Sequence, residues 1–160
     1  MKILIATDGS EFSETVVKES CELFRNSEKV VVKVVSAFEP PMMTAAAPYF
    51  VPAPYNPKIE QAMRDAAEQA IAEAERRIRE CLPDLEIDLT TEVLRGSPEQ
   101  AVIEAAEKWG ADLIVVGSHG YGFWERIFLG SVSNAIVHHA PCSVLVVRKR
   151  KNSTRLKERK

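Results

Sequence analysis

The strongest constraint on this chain is the alternation of short apolar runs with segments patterned for helices. KILIA (Lys2 to Ala6), VVVKVVSA (Val30 to Ala37), LIVVG (Leu113 to Gly117) and SVLVV (Ser143 to Val147) are short and mostly β-branched, so each reads as a strand. VVVKVVSA is so nearly apolar that it belongs in the middle of a sheet covered on both faces, with Lys33 as its one anomaly. A fifth run differs. Leu85, Ile87, Leu89, Thr91 and Val93 alternate with Glu86, Asp88, Thr90 and Glu92, the period of a strand with one wet face, near a sheet edge.

Helical spacing fills the intervals. Val16, Val17, Cys21 and Phe24 follow the first strand, with Ser10 or Ser13 as cap and Glu11 and Glu14 suited to the first turn. From Lys58 to about Cys81, Ile59, Ala62, Met63, Ala66, Ala70, Ile71, Ala74 and Ile78 hold an apolar stripe that stops before Pro83. Ser97, Pro98 and Gln100 begin a third helix in a pattern close to a capping box, and Gly110 ends it. A fourth runs from Ser131 through His139. The resulting β-α alternation predicts an α/β domain: a doubly wound, five-stranded parallel sheet of Rossmann-like architecture with helices on both faces. In such sheets ligands bind beyond the carboxyl ends of the strands, where the winding reverses.

The loop after the fourth strand is the chemical candidate. Gly117, Gly120 and Gly122 follow that strand, and Gly130 immediately precedes Ser131, Val132 and Ser133 at a helix start. Glycine accepts positive φ and close approach to the main chain, while the first turn of a helix has unpaired amide donors and the positive end of the dipole. A phosphate there gains roughly 0.3–1 kcal/mol when exposed and up to ~2 when partly buried, with the Ser131 and Ser133 hydroxyls as further donors. Glycines that merely mark a loop are the plainer alternative. No GxxxxGK[ST] loop occurs, and a dinucleotide fingerprint would follow the first strand rather than the fourth.

Gly117, two residues, Gly120, nine residues and then Gly130-Ser131 resembles the nucleotide motif of the universal stress protein family, in its ATP-binding branch. The resemblance covers residues 1–148 as one domain and implies strand order 3-2-1-4-5, with the reversal between the first and fourth strands. It assigns the nucleotide to Ala6, Thr7 and Asp8 at the end of the first strand and to the main chain at Ala37 on the second. Val116, Gly117, Gly120, Gly130, Ser131, Val132 and Ser133 complete the matched set; beside it, His119 in the loop is a candidate phosphate contact, with a solvent-facing loop residue as the alternative, and Arg126 is the loop's candidate charge clamp. The family often has proline where Ala6 stands, a mild departure for a backbone contact. Asp8 repels a polyphosphate, so its roles are Mg²⁺ shared with the phosphates or a ribose hydroxyl, against an Asx turn or helix cap. ATP with Mg²⁺ is the implied cofactor, and a stress-response sensor or regulator is the implied function. A slow ATPase or phosphotransfer enzyme is the alternative, with Arg126 and Asp8 as the only candidates for its chemistry.

Other classes are set aside. A phosphoaspartate receiver needs an acceptor Asp after the third strand, where Val93-Leu94-Arg95-Gly96 stands. His138 and His139 are adjacent, about 100° apart on a helix, and do not chelate one metal. Cys21, Cys81 and Cys142 lie far apart and read as ordinary thiols of a reducing compartment. Residues 148 to 160 hold eight Lys or Arg against one Glu, so a net charge of −2 conceals an acidic body, and no nucleic-acid partner is expected. Met1 leads into KILIATDGS without a leader, and no run approaches a membrane span, so a cytoplasmic protein with no membrane partner is expected. The basic tail, 149–160, is expected to be disordered and dispensable for nucleotide binding. The proline-rich stretch from Pro40 to Pro57 is expected to form a lid or a contact loop. SVLVV, apolar at a sheet edge, is expected to pair with a second copy as a homodimer.

Overall fold

The computed structural model describes residues 1–25, 29–40, 56–83, 85–118 and 129–148. Nine elements alternate in order: β1 (Lys2–Ala6), α1 (Glu11–Phe24), β2 (Val30–Phe38), α2 (Pro57–Cys81), β3 (Ile87–Arg95), α3 (Pro98–Trp109), β4 (Leu113–Gly117), α4 (Ser131–His139) and β5 (Ser143–Val147). The five strands form one parallel sheet in the order β3-β2-β1-β4-β5, as expected, so the winding reverses between β1 and β4. β3 is the edge strand its alternation predicted, although it begins at Ile87 because the Leu85 amide closes a turn onto the Leu82 carbonyl at 3.3 Å.

Alternate residues of the strands feed two cores. Ile3, Ile5, Val30, Val32, Val34 and Val115 pack with Val16, Val17, Cys21 and Phe24 of α1 and Ile71, Ala74 and Ile78 of α2. On the other face Leu4, Val35, Ile114 and Val116 pack with Val102, Ala105 and Ala106 of α3 and Ile136 of α4. Ile3, Leu4, Ile114 and Ile136 are completely buried, each contributing about 1.5–3 kcal/mol of hydrophobic stabilisation. Lys33 is accommodated on the second face: its ammonium meets Glu92 Oε2 on the neighbouring strand at 2.9 Å and lies 5.5 Å from the Trp109 ring centroid.

Helix ends show where local signals held. Gly110 closes α3 with a left-handed φ of 68°, and Asn56 caps α2 by accepting from the Lys58 amide at 3.0 Å. Ser10 and Ser97 occupy the cap positions of α1 and α3, but neither side chain makes the capping bond. The nearby Ser97 hydroxyl holds the Glu99 carboxyl below its usual range. Among the described residues no helix is long and apolar enough to cross a membrane. The tail from 149 and residues 41–55 of the proline-rich stretch lie outside the described residues.

Candidate functional site

Where β1 and β4 diverge, the carboxyl end of the sheet opens into a cleft of about 320 Å³, at the lower end of the size range that holds small organic ligands. Its walls come from four places. Ala6, Thr7 and Asp8 end β1, and Ala37 lies near the end of β2. Val116 and Gly117 end β4, and Gly130, Ser131, Val132 and Ser133 form the start of α4. The structure thus brings together ten of the thirteen residues singled out in the sequence. The remaining three, His119, Gly120 and Arg126, lie outside the described residues.

α4 enters with unpaired donors directed by its backbone. Gly130 is its cap residue, and the first amide bonded within the helix is that of Asn134, to the Gly130 carbonyl at 2.9 Å. The Ser131, Val132 and Ser133 amides therefore precede the helical ladder at the positive end of the dipole. Gly130 itself donates to the Ser118 carbonyl at 2.8 Å, and Ser118 donates to the Val147 carbonyl at 2.8 Å, which ties the helix start to the ends of β4 and β5.

Two expectations change here. The Ser133 hydroxyl, from a side chain only 2% exposed, is directed at the main-chain carbonyls of Gly130 (3.0 Å) and Ser118 (3.3 Å), so it braces the turn rather than serving as a donor to the cleft. Gly130 has φ −59° and ψ 158°, and Gly117 does not have positive φ either, so neither glycine is required by its backbone angles. Room for an approaching group is the remaining reason for glycine at these positions.

Asp8 sits in a local hydrogen-bond circuit. Its Oδ1 accepts from the Ser10 amide at 3.0 Å, an Asx turn, and from the Ser13 hydroxyl at 2.6 Å, while its own amide donates to Ser13 Oγ at 3.2 Å. Ser13 is thereby bound to Asp8 instead of capping α1, and the buried Ser10 Oγ has no hydrogen-bond partner. The turn is held further by Gly9, at φ 75°, whose amide donates to Thr7 Oγ1 at 3.3 Å. Asp8 is the one carboxylate among the described lining residues. Among the described residues no group of three or more His, Cys, Asp or Glu side chains could hold a metal ion unaided.

Ser13, Val35, Pro98 and Val102 also line the cleft, and the sequence reading did not select them. Pro98 and Val102 could have been found from topology: α3 leaves the carboxyl end of β3, so its first turns lie over that end of the sheet. Together with Ala37 and Val35 they make the β2 end of the cleft apolar, while its other end is formed by backbone amides.

A doubly wound α/β domain with a ligand-sized cleft at its switch point is the class defined by this fold. Residues 1–148 match the universal stress protein family, and the chain belongs to it. A universal stress protein of Methanocaldococcus jannaschii is 33% identical over 153 residues, covering 94% of this chain and 83% of that protein. The structure of a universal stress protein from Lactobacillus plantarum superposes with a TM-score of 0.72 at 25% identity, over 92% of this chain and 97% of the other. A universal stress protein solved with cyclic AMP shares the fold at TM-score 0.66 and 23% identity, over 94% of this chain and 98% of the other. The fold also recurs in an Arabidopsis thaliana family protein with AMP bound and in the Archaeoglobus fulgidus protein in complex with dAMP.

Proposed function

We propose that the switch-point cleft binds an adenine nucleotide, ATP in particular, and that its occupancy is what this protein senses or reports in a stress response. The observation that carries the reading is the cleft's division of labour. Apolar Val35, Ala37, Pro98 and Val102 suit a base at one end, and the unpaired first-turn amides of α4 suit phosphates at the other. Adenine nucleotides in three proteins of the same fold support the ligand class. The triphosphate and its metal rest on the glycine motif.

Gly117, Gly130, Ser131 and Val132 are the proposed phosphate contacts, with Ser133 contributing its amide. Gly120 joins them on the motif, and His119 and Arg126 on their place in the loop sequence. Asp8 fits a Mg²⁺ ion that also takes phosphate oxygens, because such ions need only one or two protein carboxylates when phosphates supply other ligands. That ion would neutralise the repulsion between carboxylate and phosphate.

Titration calorimetry with ATP, AMP and cyclic AMP, with and without Mg²⁺, tests the reading. One-to-one binding of ATP strengthened by Mg²⁺ is expected. Absence of heat for all three nucleotides, in protein shown by mass analysis to have been purified free of ligand, would refute it. Phosphate release measured on the same samples separates binding from slow hydrolysis.

The second copy of the chain is proposed along β5. Leu145 and Val146 remain half-buried although β5 is an edge strand, and Val147 alone of that strand is buried. Sedimentation of the parent protein is the decisive measurement, with a dimer expected. Val146→Lys is a blunter tool, because Val146 also packs against the α3–α4 core and its replacement costs stability in the monomer.

A further inference from the structure

On the face of the sheet away from α3 and α4, helices α1 and α2 run side by side in the same direction, since each returns from the carboxyl end of one strand toward the next. Their relative register is set early. Gly9 lies against Ala70 so closely that a Cβ added to it would be 3.0 Å from the Ala70 Cβ. Farther along, Arg77 Nη2 donates to Glu14 Oε1 at 2.7 Å. Twelve residues separate Gly9 from Cys21 and eleven separate Ala70 from Cys81. α1 covers the stretch from Glu11 to Cys21 and α2 all of the stretch from Ala70 to Cys81, advances of roughly 15 and 16.5 Å at the helical rise, which bring the two cysteines to a similar depth.

Both side chains belong to one packed cluster. Cys21 is 2% exposed within the core cluster, and Cys81, the last residue of α2, is half-buried and packs against the same cluster. The two thiols lie near enough for Cys81 to act on the titration of Cys21. Burial first, and the neighbouring Cys81 second, push the Cys21 thiol up to about 12. Cys142 is separated from this pair by the sheet, among residues packed against the α3–α4 core.

We propose that Cys21 and Cys81 are an oxidisable dithiol, closed to a disulfide by a hydroperoxide. The partly exposed Cys81 meets the oxidant first, and its thiolate attacks the outer peroxide oxygen. The O–O bond breaks, and the departing oxygen takes up the proton released by Cys81, giving a Cys81 sulfenic acid and water or an alcohol. Cys21 sulfur then displaces the hydroxyl from Cys81 sulfur. An S–S bond forms, the S–O bond breaks, and the hydroxyl leaves as water with the Cys21 proton. Two thiols and one hydroperoxide thus yield one disulfide, one water and one further water or alcohol. The high pKa of Cys21 makes this second step the slow one and accelerates it as pH rises. The bond joins α1 to the end of α2 across a long loop, so the oxidised chain melts at a higher temperature than the reduced one.

The test is hydrogen peroxide treatment of the full chain, followed by alkylation in denaturant, intact mass and non-reducing peptide mapping. Expected are one alkylated thiol, a peptide joining Cys21 to Cys81, and three alkylated thiols after reductant. Cys142→Ala retains the link and Cys81→Ala abolishes it. Three alkylated thiols after peroxide, a link through Cys142, or Cys81 advanced to sulfinic acid in the parent with no disulfide would overturn the proposal.

Discussion

The two ends of the sheet differ in what their polar groups face. At the amino end the chain satisfies itself. The Lys2 amide donates to Asp112 Oδ2 at 2.7 Å, the Asp112 amide returns a bond to the Lys2 carbonyl at 2.8 Å, and Lys2 Nζ donates to the Trp109 carbonyl at 3.0 Å. The ammonium groups of Lys2 and Lys33 each lie 5.5 Å from the Trp109 ring centroid. At the carboxyl end three helix-start amides precede the α4 ladder beside an open cleft. Main-chain donors left over at a helix start beside a cleft mark where a ligand completes the structure, whereas a closed circuit marks where stability resides.

The largest expected effect comes from removing the Ser131 donors, its amide and its hydroxyl, at the open end. Ser131→Pro places proline at the first helical position, where its missing N–H interrupts no helical bond, and Gly130 at ψ 158° already has the extended conformation that precedes proline. Loss of a charge-assisted bond of about 1.5–3 kcal/mol predicts ATP binding weaker by roughly 10- to 150-fold. Thermal melting should change little. Equal ATP affinity in parent and variant, measured by calorimetry, would remove the helix start from the site.

Trp109→Ala sharpens the contrast from the other end. Removing a half-buried ring that supports two ammonium groups should cost about 1–3 kcal/mol in denaturant unfolding, with ATP affinity within about twofold of the parent. A nucleotide defect as large as that of Ser131→Pro would erase the distinction between the two ends.

The smallest effect belongs to the solvent face of α2, where neither role applies. Arg76 and Arg77 hold the Glu73 carboxyl down to about 2 from 4.5. A depressed folded-state pKa contributes stability that is fully present above pH 4.5 and disappears as pH falls through about 2. The Glu73 side chain is 45% exposed, so Glu73→Gln should lower the melting temperature at pH 7 by only about 1–2 °C. The difference should narrow below pH 4.5 and vanish near pH 2. A gap that widens on acidification would contradict the sign.

Much of this contrast was legible before the fold was known, because its signals are local. Continuous apolar runs marked β1, β2 and β4 as buried strands and β5 as an apolar strand at one edge, and the wet alternation of Glu86, Asp88, Thr90 and Glu92 marked β3 near the other. The glycine spacing located the β4–α4 side of the cleft. What was missed depends on distance in space rather than pattern in sequence. Pro98 and Val102 reach the cleft from a helix over a neighbouring strand, and no residue near Ala37 announces them. Ser10 or Ser13 was expected to cap α1, but Asp8 takes both the Ser10 amide and the Ser13 hydroxyl, a choice between equally local partners that composition cannot rank. Ser133 was read as a donor to the cleft because its type permits it, while its 2% exposure and two carbonyl partners direct it inward.

Backbone amide chemical shifts recorded during an ATP titration test the account most directly, because they report both ends of the sheet in one experiment. The account predicts saturable shifts at Ser131, Val132 and Ser133 and at Ala37, with Lys2, Trp109 and Asp112 unchanged. Shifts confined to the amino end, or none at α4 at saturating nucleotide, would contradict it.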